Sequence, residues 1–240
     1  MSLLSIQGVS KSFRGLRAVA RADLDVPEGS IVGLIGPNGA GKTTLFNVIA
    51  GVFGPDAGKV LFGGREIQGL RPHEVCAAGI GRTFQIVKPF HGLTVLENVV
   101  IGALHRTSSV AEAKHLALQI LDRLQLSAKR DLSASALTLP DRKRLEVARA
   151  LATRPKLLLL DEVMAGLRPT ECDQLIEVFR AMNRDGLTIL MIEHVMRAVM
   201  RLARQIVVLH HGEVVSRGAP EQVVRDPAVL QCYLGEETEV

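Results

Sequence analysis

Apolar and polar positions change rhythm along the chain, and each change predicts a different kind of element. Near the start, "LLSIQGV" and "RAVARADLDV" alternate and are rich in β-branched residues, which predicts two half-buried strands. "SIVGLIG" is apolar almost throughout and ends in glycine, the pattern of a buried strand. "KTTLFNVIAG" then reads as a helix stopped by Gly51, and "GKVLFGG" as a strand between turns at Pro55-Asp56 and Gly63-Gly64. From about 90 to 151 the period becomes helical: Ala117, Ile120, Leu121 and Leu124 fall on one stripe, so this stretch predicts a mostly helical lobe. The strand rhythm returns with "KLLLLDE", a helix over 169–183, the strand "LTILMIEH", a helix over 195–203 and a closing hairpin in "QIVVLHHGEVVSRG". All-apolar strands alternating with helices predict an α/β fold whose mostly parallel sheet is covered on both faces.

Composition narrows this picture. With 240 residues, 47% of them hydrophobic, the chain can bury one sizeable core with a lobe inserted into it. A net charge of +4 and a pI of about 9.2 suit an anionic partner such as a nucleotide or a lipid surface, and equally a basic solvated face. Cys76, Cys172 and Cys232 form no CxxC pair, so neither a disulfide framework nor a zinc site is indicated, and a reducing compartment is expected. "MSLLSIQGVSKSF" has no long apolar core of a signal peptide. No stretch reaches the roughly 18 uninterrupted apolar residues that a membrane span needs. Aromatic residues make up 3%, too few for a stacking surface for single-stranded nucleic acid, and no nucleic-acid partner is expected.

"GPNGAGKTT" at 36–44 matches G-x-x-x-x-G-K-[ST] through Gly36, Gly41, Lys42 and Thr43. Glycines let several backbone N–H groups face one anion, and a helix starting at Lys42 turns its positive end toward the same anion. Gly36, Pro37, Asn38, Gly39, Ala40, Gly41, Lys42, Thr43 and Thr44 are therefore the expected phosphate cradle of an ATP site. In such a cradle Lys42 reaches the terminal phosphates and the Thr43 hydroxyl ligates Mg²⁺. "KLLLLDE" then places Asp161 and Glu162 at a strand end. With a phosphate loop upstream, Asp161 is expected to hold Mg²⁺ through its water shell, and Glu162 to act as general base toward water. Gln85, read as closing a short strand in "GIGRTFQ", and His194, ending "ILMIEH", stand where ligands bind in a doubly wound sheet.

These motifs, in this order, resemble the ATP-binding cassette (ABC) ATPases over nearly the whole chain. The resemblance implies a P-loop core with an antiparallel β subdomain over 1–85 and 154–240, and a helical subdomain over about 86–153. It implies that Gln85 touches Mg²⁺ and the attacking water and links the nucleotide to the helical lobe, and that His194 contacts the γ-phosphate. Phe13 falls where an aromatic stacks on adenine; a half-buried strand residue is the alternative. "LIGPNGAGKTTLFNVIAG", "GIGRTFQ", "LTVLENVVIGA" and "DPAVLQCYLG" look like the ATP-binding subunits of bacterial branched-chain amino-acid importers, with urea and short-amide importers close by. Such a subunit pairs with a second cassette and two permease subunits at the cytoplasmic face of the membrane, and serves a periplasmic or lipid-anchored binding protein indirectly. Ile86, Val87, Phe90 and Leu93, within 86–100, are the expected permease-docking surface or else core. A soluble cassette acting on DNA or ribosomes usually carries a coiled-coil insertion or a second fused cassette, and neither is present. A GTPase needs an Asn/Thr-Lys-x-Asp reader, and "NRDG" lacks the Lys.

Departures from the family pattern carry information of their own. "LTLPD" stands where the signature is usually Leu-Ser-Gly-Gly-Gln, the helix tip that completes the ATP site of the opposing cassette. Thr138 keeps a hydroxyl, Leu139 adds bulk, Pro140 removes an N–H donor and Asp141 adds negative charge. Thr138 and Asp141 read as an N-terminal cap, so the helix is kept while its anion-binding end is weakened. This favours pairing with a different cassette, a homodimer being the alternative. Val163 replaces the usual Pro, Arg168 the usual Asp or Asn of the D-loop, and Arg142-Lys143-Arg144 reads as a solvated helix face.

Overall fold

The computed structural model describes residues 2–84 and 89–234. Its strands are β1 (Ser2–Phe13), β2 (Leu16–Pro27), β3 (Ile31–Ile35), β4 (Ala57–Phe62), β5 (Arg65–Glu66), β6 (Ile80–Arg82), β7 (Leu157–Asp161), β8 (Thr188–Ile192), β9 (Gln205–His210) and β10 (Glu213–Gly218). The helices are α1 (Lys42–Ile49), α2 (Pro72–Ala78), α3 (Val95–Ala103), α4 (Val110–Arg123), α5 (Leu139–Ala152), α6 (Pro169–Arg184), α7 (Met196–Leu202), α8 (Pro220–Val223) and α9 (Pro227–Leu234).

Two sheets form. One has the order β2-β1-β4-β5 and is antiparallel; the other has the order β10-β9-β3-β8-β7-β6. In the second sheet β9, β3, β8, β7 and β6 run parallel and β10 pairs antiparallel on the edge. Its strands read as unbroken apolar runs because both faces are covered. Ile31, Leu158, Leu160, Ile189, Met191 and Val208 enter the core shared with α5, α6 and α7. Their neighbours Val32, Leu157, Leu159, Leu190, Ile192 and Val207 point the other way, into a core shared with α1 and the antiparallel sheet.

Between β6 and β7 the chain forms the helical region. Thr94 starts α3 with a reciprocal cap: its Oγ1 accepts the Glu97 N–H at 3.1 Å and Glu97 Oε2 accepts the Thr94 N–H at 2.7 Å. Ala117, Ile120 and Leu121 on α4, with Leu124 just beyond it, are all buried, as their spacing requires. Among the described residues no helix is long and apolar enough to cross a membrane. The architecture brings the carboxyl ends of β3, β6, β7 and β8 to one edge of the sheet, where the chemistry-bearing residues collect.

Candidate nucleotide site

The loop after β3 is threaded where only glycine fits. Gly36 has φ +148°, and a Cβ there would lie 1.9 Å from the Leu209 carbonyl oxygen. Gly41, at φ +100°, would meet the Ala18 carbonyl at 2.1 Å. The loop is braced by the turn after β9: the Gly212 N–H donates to Ala40 at 3.0 Å and the Ala20 N–H donates to Gly212 at 2.8 Å. Helix α1 follows, and among the described residues no side chain caps its first turn, so its N–H groups face the loop. The buried Lys42 ammonium staples the loop from inside, donating to the Gly36 carbonyl at 2.6 Å and the Pro37 carbonyl at 2.7 Å.

A cavity of about 700 Å³ opens beside this loop. Asn38, Gly39, Ala40, Gly41, Lys42, Thr43 and Thr44 line one side, Phe13 and Arg17 another, and Glu162 a third. Phe13 sits half-exposed at the rim, held edge-on by Phe53 at 5.1 Å between ring centroids.

Asp161 ends β7, which pairs with β6 and β8. Its carboxylate is buried, and Oδ2 is ion-paired to Arg82 at 3.0 Å. Arg82 also donates to Asn47 Oδ1 on α1 at 2.7 Å, tying three elements together. Burial raises the Asp161 carboxyl and the Arg82 guanidinium opposes that rise. Asp161 Oδ1 is buried with no hydrogen-bond partner among the described residues. A hard cation would satisfy that oxygen. Among the described residues no group of three or more His, Cys, Asp or Glu could hold a metal. An ion that keeps most of its water and substrate oxygens, as Mg²⁺ does, would fit beside this single carboxylate.

Glu162 follows with φ +49°, a left-handed backbone that a non-glycine residue holds only when its surroundings enforce it. Its N–H donates to the Ile192 carbonyl at 2.9 Å, and its Oε1 lies 2.9 Å from His194 Nε2. His194 thus meets the site through Glu162. Gln85, Ile86 and Val87 lie outside the described residues. Phe90 is exposed and Leu93 half-buried. Phe90 joins Val52, Phe84 and Ile101 along an apolar groove of about 280 Å³ between the two lobes.

The structure corrects two readings. Lys143 is not on a solvated face: it is 6% exposed, and its ammonium donates to the Glu162 carbonyl at 3.0 Å. Thr138 does stand at the start of α5, but its hydroxyl caps no backbone N–H; it donates to Asp141 Oδ2 at 2.7 Å. That carboxylate is buried and ion-paired with Lys129 at 2.5 Å, and these two bonds outweigh burial and hold it below the usual range. Leu139 stays exposed at the tip.

Two further polar groups at this edge escaped sequence reasoning. Arg82 sits on the strand leading to Gln85. Glu193, 3% exposed, directly precedes His194. Burial pushes the Glu193 carboxyl up to about 7, although the Met164 and Val163 amides and Lys143 pull the other way. A charged residue closing the apolar run "LTILMI" was the available signal.

Known proteins share this arrangement. A family model described as ABC transporter matches residues 19–165. A second, described as branched-chain amino acid ATP-binding cassette transporter, matches residues 213–239. The high-affinity branched-chain amino acid transport ATP-binding protein BraF of Pseudomonas aeruginosa is 38% identical over 251 residues, spanning 98% of both chains. The crystal structure of an ATP-binding cassette of an ABC transporter in its ADP conformation superposes with a TM-score of 0.89 at 32% identity, covering 98% of this chain and 99% of that one. A dimeric cassette in a post-hydrolysis state bound to ADP and Pi matches with a TM-score of 0.83 at 25% identity, covering 90% and 98%. The phosphate-loop sheet with its inserted helices, matched along nearly its whole length, belongs to the ATP-binding cassettes of ABC transporters, a family of ATPases.

Proposed function

We propose that this chain is the ATP-hydrolysing, energy-coupling subunit of an importer for branched-chain amino acids, working at the cytoplasmic face of the membrane. The substrate rests on the match to BraF and on the C-terminal family model. The observation that carries the catalytic reading is the Glu162–His194 contact of 2.9 Å on the wall of the phosphate-loop cavity.

In this reading residues 1–85 and 154–240 are the catalytic core and about 86–153 the helical lobe. ATP lies in the cavity with adenine against Phe13 and its phosphates over residues 36–44. Lys42 exchanges the Gly36 and Pro37 carbonyls for phosphate oxygens. Thr43 and Asp161, with Gln85, would hold Mg²⁺, which when bound neutralises charge on the phosphates. Glu162 orients the attacking water and takes its proton, while His194 fixes the Glu162 carboxylate and reaches the γ-phosphate. The chain pairs head to tail with a second, different cassette. Supporting this is the "LTLPD" tip, where Pro140 lacks an N–H and the Thr138 hydroxyl is turned onto Asp141. The groove formed by Val52, Phe84, Phe90 and Ile101 receives a permease segment.

The test is ATP hydrolysis by the purified chain alone and by its assembly with the second cassette and permease, each beside Glu162→Gln. Negligible turnover alone, with Glu162-dependent turnover in the assembly, supports the reading. Glu162-dependent turnover by the chain alone overturns the mixed pair, and turnover indifferent to Glu162→Gln overturns the base assignment.

A further inference from the structure

Glu162 is held in place by more than its own strand. Its left-handed backbone is followed by Val163, where the family pattern has a proline that carries no N–H. Val163 restores that N–H, and the buried Glu193 Oε1 accepts the next amide, that of Met164, at 3.0 Å. Two residues back, the Glu162 carbonyl accepts the Lys143 ammonium at 3.0 Å and closes a turn with the Ala165 N–H at 3.3 Å. The stretch from the Glu162 carbonyl to the Met164 amide therefore lies between a buried ammonium and a buried carboxyl.

The sources of the two charges matter. Lys143 comes from α5, the helix whose tip is "LTLPD". Glu193 comes from the residue before His194, whose ring touches Glu162 Oε1. Hydrogen bonds to ionisable groups in a water-poor setting are short-range and directional, so displacing either partner shifts the turn that follows Glu162.

We propose that Lys143 and Glu193 are positioning residues that grip the turn after Glu162 from its two ends, Lys143 at the Glu162 carbonyl and Glu193 at the Met164 amide, so that the placement of α5 sets the placement of the Glu162 carboxylate. This rests on the reading of Glu162 as the base. Neither residue lines the cavity beside the phosphate loop. The clamp gives the helical lobe a direct mechanical link to its own cassette's catalytic carboxylate.

Two measurements test it. In the purified chain, hydrogen exchange of backbone amides needs no turnover. Lys143→Met and Glu193→Leu are each expected to raise exchange in the segment 162–167 by about tenfold and to leave the phosphate loop unchanged. Equal exchange in variant and wild type overturns the clamp, and so does loss of protection throughout the sheet. In the assembled transporter, Lys143→Met is expected to lower kcat by about 10- to 100-fold while KM for ATP moves less than about twofold. In a Glu162→Gln background the same substitution is expected to add nothing, because it acts through the missing carboxylate. A full additional loss there marks a merely structural role and overturns the proposal. Turnover sensitive to Glu162→Gln but untouched by Lys143→Met overturns only the clamp. Turnover insensitive to Glu162→Gln overturns the reading of Glu162 itself.

Discussion

Glu193→Gln replaces a buried carboxyl by a neutral group of the same shape, and the effect on stability is expected to depend strongly on pH. The folded chain holds the Glu193 proton up to about 7, against an ordinary value of 4.5. Between those values the native state binds more protons than the unfolded state, so this group's contribution falls as pH rises. It is fully present below 4.5 and gone above about 7. The gap between 4.5 and about 7, at about 1.36 kcal/mol per pH unit, corresponds to about 3 kcal/mol. Lys143 and the Val163 and Met164 amides oppose the rise, while the Glu162 charge adds to it; the Cys172 thiol is itself raised partly by Glu193. The assay is thermal unfolding of wild type and Glu193→Gln in parallel at about pH 5 and about pH 8, because titrating groups that Glu193 does not influence cancel in the difference. Relative to the variant, the wild type is expected to lose about 3 kcal/mol over this range, or about 6–12 °C in Tm for a chain of this size. A difference that stays constant across the range refutes the reasoning and places the carboxylate in a site that solvates its charge.

Four other outcomes follow from the geometry. Gly36→Ala sets a Cβ 1.9 Å from the Leu209 carbonyl, and a fluorescent ATP analogue is expected to bind about 100-fold more weakly, the equivalent of about 3 kcal/mol. Arg82→Met leaves Asp161 buried without its 3.0 Å partner and is expected to cost about 3–5 kcal/mol in urea unfolding; an unchanged midpoint refutes the role given to the ion pair. His194→Ala is expected to lower turnover of the assembly by about 100-fold with little change in ATP affinity, as steady-state kinetics will show. Combining Leu139→Gly, Pro140→Gly and Asp141→Gln restores an amide and removes a charge at the tip. It is expected to raise hydrolysis by the chain alone by about 10- to 100-fold, on the order of 1.5–3 kcal/mol.

What the sequence made legible was what local spacing encodes. Unbroken apolar runs announced β3, β7 and β8 because strands covered on both faces need no alternation. The phosphate loop was legible because its glycines answer to backbone carbonyls at fixed points, as the Cβ clashes at Gly36 and Gly41 demonstrate. Lys143 was not, because Arg142-Lys143-Arg144 reads locally as a charged face, while the carbonyl that draws the ammonium inward belongs to a distant strand end. A trace of it was present all the same: Lys143, Val147 and Ala150 form one buried helical stripe. The Thr138–Asp141 pair was legible as a pair and misread as a cap. Lys129, from the 3₁₀ turn Ser127–Lys129, pulls the Asp141 carboxylate over, and the Thr138 hydroxyl follows it.

The position of that tip on α5 separates two tasks that the helix performs. In the proposed head-to-tail pair, the "LTLPD" end acts across the interface, on the phosphates held by the partner cassette. Lys143, five residues after Thr138 and therefore about 7.5 Å further along the axis, acts within the chain, on the peptide that carries Glu162. The tip can then lose an N–H donor and gain a negative charge without loosening the chain's own catalytic carboxylate, because the hydrogen bond from α5 to the Glu162 carbonyl comes from beyond it, at Lys143. Substitutions at 139–141 are expected to change hydrolysis only at the partner's phosphate loop, and substitution of Lys143 only at this chain's own. A single-turnover measurement with one cassette at a time disabled by substitution of its phosphate-loop Lys resolves the two sites. If Lys143→Met and the tip substitutions change hydrolysis at the same site, cis and trans control of hydrolysis are not separable along α5, and the clamp and the tip are one device.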